Sequence, residues 1–247
     1  MAVGYAGLIR LFPFFMAGGV ALQGLVAVAE ARSLRPLREQ ARFWAGLGLS
    51  LLLLVPLSAW RAGGLQAWTA FSVNSRRMVG TEASNILGLP VVLAWRPGLQ
   101  RALYTDPLRE NPLEAWEQVQ AESLGATRPA VAVAALAFVA LLALAVRRRP
   151  AWVAALLGLG LVPIVHRLAN YYFCWPLVYA LLLEVCPPVG LALTFTAWAS
   201  NLLADAFPDY DSGRALASSL LICALVAGLT ARLARPPACP PDDAPPR

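Results

Sequence analysis

Apolar residues in this chain come in runs of roughly 15–20, close to the length a helix needs to cross ~30 Å of hydrocarbon. The runs lie at 11–29, 43–59, 129–146, 151–165, 169–183, 189–204 and 215–233, and short polar stretches separate most of them. These seven runs predict an all-α fold, a polytopic transmembrane helical bundle with about six of them as full spans, over residues 1–235. The first ten residues carry little charge and no clean small-residue cleavage site, so 11–29 is read as a span rather than a signal peptide.

The polar stretches orient the bundle. Arg32, Arg35, Arg38 and Arg42 crowd the first loop against only Glu30 and Glu39, the Arg147, Arg148 and Arg149 cluster follows the third long run, and Arg232 and Arg235 close the last. Cytoplasmic loops carry such an excess of cations, which places these three groups inside and the stretches 60–128, 166–168 and 205–211 outside. Within 60–128, residues 86–95 are apolar but about half the length of a span, which predicts a re-entrant or interfacial segment. Residues 112–124 predict a surface amphipathic helix, with Asn111 as N-cap, Pro112 in the first turn, Glu114 at the capping-box position and Gly125 as the stop. Leu113, Trp116, Val119 and Leu124 form its apolar side and Glu110, Glu114, Glu117 and Glu122 its wet side. Residues 236–247 (PPACPPDDAPPR) are too rich in proline to pack and read as a disordered tail.

Composition agrees. The chain is 59% hydrophobic and 14% charged with a mean hydropathy of +0.61, beyond the range of ordinary soluble domains. All 20 basic residues are arginine, yet they sit at the ends of apolar runs instead of in one patch, so the net charge of +6 speaks for membrane anchoring and against nucleic acid. The expected location is a membrane, crossed several times. The four cysteines lack CxxC spacing and read as small apolar residues.

One polar group stands out against this background. The stretch PIVHRLANYYFCWP (163–176) holds the single histidine, His166, with Arg167, Asn170, Tyr171 and Tyr172 at the edge of two apolar runs. A short turn in the headgroup layer with an aromatic belt is the plain reading. Polar groups at that depth also mark functional sites, and the orientation puts them on the same face as Asn74, Arg76, Arg77, Glu82 and Asn85 of the long outer loop. Arginine grips phosphate through paired charged hydrogen bonds and histidine adds a donor, so a lipid phosphate is the expected ligand. No nucleophile motif, phosphate-binding glycine loop or zinc motif is present. Asp205, Asp209 and Asp211 read as a solvated turn around Pro208, so no metal and no cofactor are expected.

The chain resembles the C-terminal portion of bacterial polytopic GT-C-type glycosyltransferases, which use polyprenyl-phosphate-linked sugars. Three stretches carry the resemblance: LIRLFPFFMAGGVAL at a span start, WTAFSVNSRRMVGTEASNILGL in the outer loop, and PIVHRLANYYFCWPLVYALLL late in the chain. It implies a membrane enzyme that transfers a sugar on the outer face and binds a polyprenyl-phosphate-linked sugar through His166, Arg167, Asn170, Tyr171, Tyr172, Arg76, Arg77 and Asn85. The acid that such enzymes carry in their first outer loop has no counterpart here; Glu82 is the nearest substitute. The chain is therefore expected to be a fragment or a shortened relative, completed by a partner chain or an upstream segment. The alternative is a non-catalytic membrane protein, a lipid or solute transporter or an assembly subunit.

Overall fold

The computed structural model describes residues 1–9, 12–32, 37–80, 86–98, 100–207 and 212–235, with backbone alone at residues 8, 9, 12, 76–80 and 170–172. The described chain is almost entirely helical. In order it forms α1 (Ala2–Ile9), a 3-10 turn (Phe12–Phe14), α2 (Phe15–Ala31), α3 (Arg38–Arg61), α4 (Gln66–Gly80), strand β1 (Ile86–Leu87), α5 (Leu89–Ala94) and α6 (Arg101–Tyr104). Then come α7 (Glu114–Val146), α8 (Ala151–Gly158), α9 (Leu161–Val165), strand β2 (Leu168–Ala169), a 3-10 helix (Asn170–Leu182), α10 (Pro188–Ala206) and α11 (Ser212–Ala234).

Three of these helices, α3, α7 and α11, are long and apolar enough to cross a membrane. At 1.5 Å per residue they measure about 36, 50 and 35 Å. Shorter apolar helices occupy Phe15–Ala31, Ala151–Val165 and Phe173–Leu182. Several expected spans are thus present as helices but shorter or interrupted: the 151–165 run breaks at Leu159 and Gly160, and the 169–183 run winds as a 3-10 helix about 26 Å long. Leu49, Leu52, Leu53, Leu57 and Trp60 on α3, and Leu191, Phe195, Trp198 and Leu202 on α10, stay exposed, as lipid-facing surface requires.

The surface helix expected at 112–124 needs correction, because it continues without a stop into the 129–146 run as the single helix α7. Gly125, the expected terminator, is absent from the glycines with positive φ, and a terminating glycine needs that left-handed backbone. Pro129 removes only one hydrogen bond, to the Gly125 carbonyl, and the helix runs through it. Asn111 acts just before the start: its Oδ1 accepts the Leu113 N–H at 3.1 Å, and the helix proper begins at Glu114.

Packing gathers α7, α8, the 3-10 helix and α11 around Phe138, Leu142, Leu157, Tyr179, Leu182 and Val226. In hydrocarbon helices associate by close contact of small residues more than by the hydrophobic effect, and α2 against α8 shows this. A Cβ on Gly158 would stand 2.4 Å from the Phe15 carbonyl oxygen and 2.7 Å from the Gly19 nitrogen.

One end of the bundle collects the arginine-rich loops. The Arg147 guanidinium pairs with Glu30, Arg149 donates to the Leu233 carbonyl at 3.2 Å, and the Ala151 N–H donates to the Glu39 carboxylate at 3.3 Å. Gln23 sits among them, donating to the carbonyls of Val146 (3.3 Å) and Arg149 and accepting from Gln40 at 2.9 Å. Three cation clusters far apart in sequence therefore share one end.

Candidate functional site

The opposite end is built around a strand pair. Ile86 lies opposite Ala169 and Leu87 opposite Leu168 in an antiparallel register. Two segments 82 positions apart are thereby joined, one following the long polar stretch that begins at residue 60 and the other leaving the His166 and Arg167 turn.

Gly88 makes the junction possible. Its φ of +130° favours glycine, and a Cβ there would fall 2.7 Å from the His166 carbonyl oxygen and 2.9 Å from that of Pro163. The Gly88 N–H donates to Ser219 Oγ at 3.0 Å, and that buried hydroxyl in turn donates to the Ala215 carbonyl at 2.6 Å. Residues 86–94 do not cross the bundle: a two-residue strand leads into the six-residue helix α5, about 9 Å long, with Ile86, Leu87, Pro90 and Ala94 buried against the protein. Irregular backbone in a membrane protein is tolerated when it is packed against protein, and this segment is packed in that way.

His166 caps α9, its N–H donating to the Val162 carbonyl at 2.9 Å, and both His166 and Arg167 are half-buried. Burial first, and the Arg167 charge second, lower the His166 pKa from its ordinary 6.5, which favours the neutral imidazole at neutral pH. A neutral ring keeps one N–H to donate, and Arg167 beside it supplies the fixed positive charge.

Asn170, Tyr171 and Tyr172 open the 3-10 helix directly after β2, so their backbone adjoins the junction. Arg76 and Arg77 belong to the last turns of α4. Glu82 and Asn85 lie outside the described residues, as do Asp209 and Asp211; Asp205 is exposed near the C-terminal end of α10.

A pocket unnoticed in the sequence lies next to the junction. Ile86, Ala94 and Trp95 form one side, and Trp116, Gln120 and Ser123 of α7 the other. Ser123 is satisfied by the Ala94 carbonyl at 2.7 Å, whereas Trp116 Nε1 and Gln120 Oε1 are buried without a hydrogen-bond partner among the described residues. The available signal is three polar or amphipathic side chains at i, i+4 and i+7 on a face otherwise read as apolar.

No protein-family model, curated protein or solved structure matches the chain.

Proposed function

We propose that this chain is the lipid-substrate-binding part of a membrane glycosyltransferase that moves a sugar from a polyprenyl-phosphate-linked donor on the outer face of a bacterial inner membrane. In this reading the chain has about six spans, the 3-10 segment among them, with the arginine clusters inside. A partner chain or an upstream segment supplies the catalytic acid. His166 and Arg167 bind the phosphate, Tyr171 and Tyr172 pack near the sugar or the prenyl chain, and Asn170, Arg76, Arg77 and Asn85 complete the set of substrate-binding residues.

The observation that carries the reading is the β1–β2 pairing, which draws the end of the outer loop onto the His166–Arg167 turn at the end remote from the arginine clusters. Arginine at headgroup level grips phosphate through a two-pronged donor set that lysine lacks.

The test is binding of a polyprenyl-phosphate-linked sugar to the purified chain in nanodiscs. Arg167→Lys and His166→Ala should each weaken binding by about 1–3 kcal/mol, the range for charged hydrogen bonds and stranded polar groups, with membrane insertion unchanged. Normal binding by both variants would leave the turn as a headgroup-layer connection and nothing more.

A further inference from the structure

The pocket beside the strand pair holds two polar atoms that no described residue satisfies. Trp116 is 4% exposed and Gln120 8% exposed, and Trp116 Nε1 and Gln120 Oε1 both lack a partner. They lie four residues apart on α7, one turn of the helix, so the two side chains line the same cavity. Leaving a buried donor and a buried acceptor unsatisfied is costly, so a group from outside the chain is expected to fill the space.

Chemistry narrows that group. The indole N–H needs an acceptor and the amide oxygen needs a donor, and a hydroxyl supplies both from one oxygen atom. Among the described residues the lining contains no charged side chain, which argues against phosphate or carboxylate. The cavity encloses about 30 Å³, room for a hydroxyl but not for a whole sugar ring. Trp95 stands at the same site with 37% of its surface exposed, an aromatic face on which the rest of a ring can pack. Ile86 ties the pocket to the His166 segment, since it lines the cavity and pairs with Ala169.

We propose that this pocket binds one hydroxyl of a neutral carbohydrate, with Trp116 donating to it, Gln120 accepting from it and Trp95 covering the ring. This rests on the lipid-linked sugar reading for its ligand class, and assigns the sugar to a place distinct from the phosphate.

The indole ¹⁵N–H resonance of Trp116, assigned by its loss in Trp116→Phe, reports on the pocket directly. The chain would be held in phosphatidylcholine nanodiscs and titrated in two arms, one with methyl glucoside in solution and one with a monoglucosyl diacylglycerol in the bilayer. A saturable shift in either arm, weakened about tenfold in Gln120→Leu, is the expected result. The arm that responds at lower concentration identifies a free or a lipid-anchored sugar. If neither arm moves the resonance, or if Gln120→Leu binds as well as the original chain, the pocket holds water alone and the proposal is wrong. Neither probe carries phosphate, so this outcome is independent of the Arg167→Lys result.

Discussion

Gly19 of α2 and Gly158 of α8 meet backbone to backbone, close enough that a Cβ on Gly19 would stand 1.9 Å from the Ala154 carbonyl oxygen and 2.9 Å from the Gly158 Cα. Neither obstacle is a side chain that can swing away. The two apolar segments are therefore held together here by the absence of side chains, the mode of association that lipid favours.

Gly19→Ala should accordingly force α2 and α8 apart and lower stability by about 1–3 kcal/mol, the usual cost of overpacking. Gly228→Ala is the control, since an added Cβ there meets nothing within 4 Å and an alanine inside a helix is preferred over glycine by about 1 kcal/mol. Thermal unfolding in detergent should separate the two, with Gly19→Ala melting lower and Gly228→Ala at or above the original chain. Equal melting temperatures would contradict the close crossing.

Orientation is checked with reporter fusions. The arginine loops share one end through Arg147 with Glu30, Arg149 with Leu233 and Ala151 with Glu39. Fusions after Arg42, Arg149 and Arg235 should all report the cytoplasm, and fusions at Thr105 or after Phe207 the outside. Opposite locations among the first three would mean that an apolar segment crosses where none is expected.

Acid should loosen the His166 turn. Its folded-state pKa lies below the ordinary 6.5, so the unfolded chain takes up a proton at higher pH than the folded one. Stability contributed at this site is then full above about 6.5 and declines as pH falls below it, toward the lower folded-state value. Melting temperatures recorded between about pH 5 and 8 should fall on the acid side. His166→Gln should show a flatter profile, and an unchanged profile in that variant would assign the acid sensitivity elsewhere.

Much of the architecture follows from local chemistry that the sequence displays. Runs of apolar residues must be helical in hydrocarbon because backbone N–H and C=O groups have no water there, and arginines cap those runs on the side where they stay hydrated. The gathering of the Arg38, Arg147 and Arg232 loops at one end follows from that rule and from the alternation of segments. What the sequence did not determine are features that depend on partners distant in the chain. The stop expected at Gly125 fails because a glycine ends a helix only when its backbone turns left-handed, and α7 is stabilised instead by packing along α5, α9 and α11. The pairing of Ile86 with Ala169, and the role of Gly88 beneath His166, needed the fold, because two-residue strands carry no periodicity of their own. Trp116 and Gln120 read as ordinary members of an amphipathic helix until α5 closes over them; only tertiary burial leaves the indole N–H and the amide oxygen without a partner among the described residues.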